Sequence, residues 1–224
     1  MENFFNRQIQ LWGKDKQQIL QNKHILIIGC GGLGCSLGIA LGAVGIGNIT
    51  LVDFDRVGIH NIHRQIAFKL SDEGRLKCEV LKELIEEKST FTKVNAINGS
   101  FEDFLDLDIK DIDLIIDGTD NLNVRVEIDN YAKTISKPWI YGSVEAFHGQ
   151  VCFFDKSQFE SIFGVKDRIP EGIATPNVML IASFQANLAI RYLIDYKVKK
   201  DFLYYIFFDD VGEFVVQKFG LPKG

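Results

Sequence analysis

The segment Gly29-Cys30-Gly31-Gly32-Leu33-Gly34 follows an apolar run, His24-Ile25-Leu26-Ile27-Ile28, and opens a stretch of small apolar residues. Such a turn lets backbone N–H groups approach a phosphate, and the start of the helix behind it favours the anion. Asp53, at the end of the next apolar run, can accept two ribose hydroxyls. Glycines alone leave the nucleotide open, because a dinucleotide pyrophosphate would use the same loop. The residues that follow decide: His60-Asn61-Ile62-His63-Arg64-Gln65, then Gly74-Arg75-Leu76-Lys77, then Gly118-Thr119-Asp120-Asn121. Arg64 and Lys77 can neutralise a triphosphate, and Asp120 can hold Mg²⁺ between its oxygens. Hydride transfer needs no pair of cations plus a metal carboxylate.

These residues need a frame. Residues 8–22 read as an irregular start followed by a short helix. Buried strands are expected at His24–Ile28, Asn48–Asp53 and Asp113–Asp117, and a shorter one at Val94–Asn98. Helices are expected over Gly34–Val44, Asp72–Lys88 and 121–136, the last ended by Lys137-Pro138. Trp139–Val144 and Gly149–Asp155 read as strands, 156–175 as a mobile loop, and Pro176 opens a long helix to about Tyr196. Phe202–Asp209 and Glu213–Phe219 flank a hairpin signal at Asp210-Val211-Gly212. The alternation implies an α/β fold, Rossmann-like, with a mostly parallel central sheet flanked by helices and antiparallel C-terminal strands.

The 224 residues, with no linker or internal repeat, read as one domain over 1–224. Lys and Arg number 25 against 30 Asp and Glu, and a net charge of −5 argues against a duplex-binding face. No apolar run is long enough to span a membrane, and the charged N-terminus is unlike a secretory signal. The four cysteines (Cys30, Cys35, Cys78, Cys152) include no C-x-x-C pair. A reduced, cytoplasmic protein is the reading they support.

In order and spacing, several segments resemble the ThiF/MoeB/HesA family, whose eukaryotic relatives are the ubiquitin-activating enzymes. They are Arg7-Gln8-Ile9-Gln10-Leu11-Trp12-Gly13, the glycine loop, Leu51-Val52-Asp53-Phe54-Asp55, Asn61-Ile62-His63-Arg64-Gln65, Lys77, Asp117-Gly118-Thr119-Asp120-Asn121, and Ser183-Phe184-Gln185-Ala186-Asn187-Leu188-Ala189-Ile190. The resemblance implies an adenylyltransferase that uses MgATP to activate the C-terminal glycine carboxylate of a small ubiquitin-like or sulfur-carrier protein, releasing pyrophosphate. It implies that Gly29, Gly31, Gly32 and Gly34 cradle the nucleotide and Asp53 holds its ribose. Asn61, Arg64 and Lys77 would bind phosphates, with Gln65 and Asn121 lining the same pocket and Asp120 placing Mg²⁺. Arg7 would reach the ATP of the other subunit in a homodimer. A carboxylate attacking the α-phosphate needs alignment and charge neutralisation more than a protein nucleophile, so His60 and His63 are expected to pack the loop rather than catalyse.

The chain departs from the family in its cysteines. Many bacterial members carry two C-x-x-C pairs for a structural zinc, near 155–165 and near the C-terminal end. Residues 153–224 here hold no cysteine, so no zinc site is expected. The slot in which some members place a thioester- or persulfide-forming cysteine falls near Arg168. Sulfur transfer, where it follows, would then need a separate sulfurtransferase. Three other readings stay open at this stage: a tRNA-modifying dehydratase of the same fold, a non-catalytic partner subunit, and an NAD-dependent dehydrogenase.

Overall fold

The structure, a computed structural model, describes residues 2–107, 109, 111–163 and 172–222. Eight strands form: β1 (His24–Ile28), β2 (Asn48–Val52), β3 (Lys93–Ile97), β4 (Leu114–Asp117), β5 (Trp139–Glu145), β6 (His148–Phe154), β7 (Phe202–Phe208) and β8 (Phe214–Gly220). They make one sheet in the order β3-β2-β1-β4-β5-β6-β7-β8. β1 to β5 pair in parallel, with Ile25 between Ile49 and Leu114, while β6, β7 and β8 add antiparallel. The expected Rossmann-like sheet is therefore present. Its parallel half follows from helical crossovers between strands, which bring each new strand back in the same direction.

Both faces are covered, which is why β1 and β4 are apolar on both sides. Helices α3 (Gly32–Val44), α5 (Lys77–Lys88) and α9 (Thr175–Leu193) bury Leu37, Leu41, Leu81, Ile85 and Ile181 against Ile25, Ile27, Leu51 and Ile116. On the other face α6 (Phe101–Leu105), α7 (Leu122–Thr134) and α8 (Phe159–Ile162) bury Phe101, Phe104, Ile128 and Phe159 against Leu26, Ile28, Ile115 and Trp139. Strand order reverses around β1 and β4, and a crevice opens at their carboxyl ends, where doubly wound sheets bind ligands.

Several expectations are corrected. Residues 8–22 are no irregular start: α1 (Asn6–Trp12) and α2 (Lys14–Gln21) fill the region, separated at Gly13 with φ of 85°. They are tied down by their own chain. Phe5 is buried, and the buried Gln17 accepts from Gln8 and Trp12 while donating to the Val44 carbonyl. The helix expected from Asp72 starts only at Lys77, because Val57 and Arg75 pair as extended chain and Arg56 bridges Leu76. A one-turn α4 (Ile59–Ile62), unanticipated, precedes Arg64.

The stretch read as a loop from 156 to 175 is partly built. Asp201 accepts the amides of Asp155, Lys156 and Ser157, and α8 seats Phe159 beside Trp139 and Tyr141. Ile173 bridges Ala146, and α9 begins at Thr175. Arg168 lies outside the described residues.

Candidate functional site

The glycine loop joins β1 to α3 at the crevice. Gly29 has φ of +87°, and a Cβ at Gly34 would fall 1.8 Å from the Gly29 carbonyl oxygen. The loop therefore closes on itself only without a side chain there. A Cβ at Gly29 would meet Gly118 O at 2.9 Å, so the turn after β4 rests directly on the loop. Gly31 differs: the nearest atom to its Cβ position is Gln65 Nε2 at 3.7 Å. That side of the loop has room.

Asp53 ends β2. Its Oδ2 accepts the Cys30 N–H at 2.5 Å and its Oδ1 the Asp55 N–H at 2.7 Å, which leaves each oxygen a lone pair for a ligand hydroxyl. Burial pushes its pKa up, against the opposing pull of those two amides and of Lys77. Lys77, at the start of α5, is 4% exposed, and its Nζ meets Asp55 Oδ2 at 2.7 Å. The ammonium is thus held in the wall of the crevice by a carboxylate that is itself 55% exposed.

Arg64 follows α4, and its carbonyl oxygen lies 3.6 Å from the Cβ position of Gly32. Its guanidinium contacts Asn61 Oδ1 at 3.3 Å and His63 Nε2 at 3.0 Å. Among the described residues no carboxylate pairs with it. Gln65 is buried with its Oε1 unpartnered among the described residues, and a buried acceptor left open at a binding cleft is one a polar ligand can satisfy. His60 and His63 are exposed; the His63 imidazole contacts Arg64, and its carbonyl accepts the Thr175 hydroxyl at 2.6 Å.

The turn after β4 is braced from beneath. Asp117 is fully buried; its Oδ1 accepts both the N–H (2.8 Å) and the hydroxyl (2.7 Å) of Thr119, and its Oδ2 accepts Arg125 Nε at 2.8 Å. Arg125 Nη2 also donates to Thr119 O at 2.6 Å and to Gly142 O of β5 at 3.0 Å. From α9, Gln185 Nε2 donates to the Asp117 carbonyl at 2.8 Å. Burial works against the Arg125 charge, but Asp117 leads the groups that outweigh it and raise its pKa.

Asn121, expected to line the nucleotide pocket, caps α7 through its side-chain oxygen: Oδ1 accepts the amides of Asn123 and Val124. Asp120, between Thr119 and this cap, is exposed and makes no hydrogen bond among the described residues. An exposed carboxylate with no hydrogen bond among the described residues, beside the glycine loop, fits Mg²⁺, a hard cation that takes one or two carboxylates plus phosphate oxygens.

Sequence reasoning missed Arg125, and gave Asp117 and Gln185 no role beyond their motifs. Arg125 left a signal: it sits three residues after Leu122 and three before Ile128, a charge within the apolar stripe of α7.

Arg7 is not brought to this crevice within the chain. It is exposed and touches Gln10, and α1 docks through Gln8 onto Val44 at the far end of α3, roughly 20 Å from the glycine loop at helical rise. All four cysteines are buried, and burial raises every thiol, Cys78 to about 11.

A glycine cradle at the switch point of a doubly wound sheet, with an acidic residue ending the next strand, defines a nucleotide-binding α/β protein. The chain belongs to the ThiF family, whose model matches residues 5–219. It is similar to the molybdopterin-synthase adenylyltransferase of Escherichia coli strain K12, 30% identical over 204 residues that cover 86% of this chain and 82% of that protein. It is 32% identical over 196 residues to the adenylyltransferase and sulfurtransferase MOCS3 of Dictyostelium discoideum, covering 83% of this chain but only 46% of that one. The chain thus spans about half of one relative and about four fifths of the other. In fold it matches the crystal structure of E. coli MccB with ATP, with a TM-score of 0.84 at 21% identity over 98% of this chain and 72% of that one.

Proposed function

We infer that the chain is an ATP-dependent adenylyltransferase that activates the C-terminal glycine carboxylate of a small ubiquitin-like or sulfur-carrier protein. One observation supports this reading: the Gly118-Thr119 turn that leads to the exposed Asp120 and the Arg64 carbonyl both pack on the glycine loop, and the buried Lys77 acts on the Asp53 carboxylate across it. A dinucleotide site has no use for that set. The ThiF membership and the adenylyltransferase relatives support the same activity.

The chain's own groups divide the work. Gly29, Gly31, Gly32 and Gly34 let main-chain N–H groups approach the phosphates, and Asp53 holds the ribose. Asn61, Arg64 and Lys77 neutralise phosphate charge, with Gln65 at the cradle wall. The carrier's ionised carboxylate attacks the α-phosphorus; a carboxylate O–P bond forms, the bond to the bridging oxygen breaks, and pyrophosphate leaves. No general base is needed. Mg²⁺, held by Asp120 when bound, supplies further charge neutralisation on the phosphates.

The same reading makes residues 1–224 one adenylation domain working in the cytoplasm. Arg7, too far from its own crevice, serves the nucleotide of the other subunit in a homodimer. Buried thiols leave sulfur chemistry to a separate sulfurtransferase. The test is ATP–pyrophosphate exchange with purified carrier proteins. Arg64→Ala and Lys77→Ala each lower exchange at least about tenfold, since a phosphate contact to a charged group is worth roughly 1.5–3 kcal/mol. Exchange near the wild-type rate in both variants overturns the assignment.

A further inference from the structure

We propose that Arg125 is the positioning residue for the Asp120 carboxylate, setting the response of nucleotide binding to Mg²⁺ without touching the nucleotide. The proposal rests on the Asp120 reading above and extends it to a residue outside the cradle.

Asp120 is flanked by two pinned neighbours. On one side Thr119 is held at three points: its N–H and hydroxyl on Asp117 Oδ1, and its carbonyl on Arg125 Nη2. On the other, Asn121 is fixed as the cap of α7, the helix that carries Arg125. Arg125 Nε on Asp117 and Nη2 on Gly142 then tie that helix to β4 and β5. The guanidinium therefore joins Thr119 to two strands, and the Arg125 main-chain amide bonds the Asn121 carbonyl, while the Asp120 side chain makes no hydrogen bond among the described residues.

Stability alone is a poor account of this pair. Burying two charges is costly, and apolar residues of similar volume often replace a buried pair without loss. What an apolar pair cannot do is hold a turn of main chain by its carbonyl and its preceding carboxylate. The fork of an arginine spans these acceptors, and a lysine's single ammonium cannot reach all of them. The surroundings agree: Gln185 backs the Asp117 carbonyl from α9, and Tyr141 lies with its ring 5.0 Å from the guanidinium carbon.

The experiment is calorimetric titration of ATP into the full chain, with and without MgCl₂, for wild type, Arg125→Lys, Thr119→Val and Asp120→Asn. Wild type binds ATP more tightly with Mg²⁺. Arg125→Lys is expected to cut that enhancement at least fivefold while ATP affinity without Mg²⁺ stays within twofold. Thr119→Val, which buries no unpaired charge and keeps the assay open should Arg125→Lys fold poorly, is expected to cut it about twofold. In the Asp120→Asn background, Arg125→Lys is expected to change the enhancement no further. Parallel weakening with and without Mg²⁺ overturns the proposal and leaves Arg125 a structural residue. Equal wild-type affinity with and without Mg²⁺ overturns the Asp120 reading as well, so the two failures are distinguishable.

Discussion

A methyl group is enough to separate the two tasks of the glycine loop. At Gly34 it would land 1.8 Å from a main-chain oxygen, an overlap that only backbone movement relieves. At Gly31 its nearest neighbour is 3.7 Å away, so it fits the loop and intrudes only on a ligand bound there. Gly34→Ala is expected to lower the melting temperature by several degrees and abolish ATP binding. Gly31→Ala is expected to melt as wild type yet bind ATP at least about tenfold more weakly, a phosphate contact being worth roughly 1.5 kcal/mol or more. Calorimetry with thermal melts checks both. The thiols carry a second expectation. A thiolate is the reactive form, and burial disfavours it. Iodoacetamide at pH 8 should leave the native chain unlabelled while free cysteine reacts fully, and denaturant should expose four sites. With a pKa near 11, Cys78 labelling would rise with pH up to that value. A reductant-sensitive adduct with a carrier protein would contradict the absence of a catalytic thiol.

Among the elements, the last hairpin pairs with β6 and is further anchored by the Asp201 side chain. Asp201, with φ of 54°, stands just before β7 and gathers the amides of Asp155, Lys156 and Ser157 where β6 ends. Burial would raise its pKa, but these amides outweigh that and lower it. The sign follows: a carboxyl whose folded pKa lies below its unfolded value stabilises the fold above the unfolded pKa, and that contribution is lost as pH falls through the folded one. Asp201→Ala is expected to cost about 1–3 kcal/mol at pH 7, and less as pH drops below about 4. Urea unfolding across this range measures it. A constant difference between variant and wild type down to pH 2 would show that the charge is not what anchors the hairpin.

For the whole molecule, the position of Arg7 makes the strongest demand. It sits on a helix docked at the far end of α3, so only another subunit can bring an Arg7 to this crevice. Complementation tests that. Arg7→Ala and Lys77→Ala, each at least about tenfold impaired alone, should recover about a quarter of wild-type exchange when mixed and allowed to trade subunits, because about half the pairs are mixed and each mixed pair rebuilds one of its two sites. A monomer by light scattering that is fully active at nanomolar concentration, or a mixture that stays inactive, refutes the shared site.

Local pattern carried much of this protein. Apolar runs ending in glycine or aspartate marked β1, β2 and β4, because strands buried on both faces must be apolar throughout, and the glycine loop and Asp53 followed from where those runs end. Arg64, Lys77 and Asp120 stood out as candidates because two cations and a carboxylate follow the glycine loop in the order the family resemblance implies. Where contacts cross the fold, the sequence was silent or misleading. Gln17 lies in the stretch read only as an irregular start and a short helix, yet Val44, Gln8 and Trp12 make it a buried joint. The Asn121 oxygen caps a helix, an outcome set by where α7 begins. Arg125 showed only a charge out of place on an apolar face. Its partners come from Asp117, Thr119 and Gly142, and no spacing along the chain announces that β4, β5 and α7 will meet around one guanidinium. Burial and pairing across the sheet are properties of the assembled layers, and only the tertiary structure decides them.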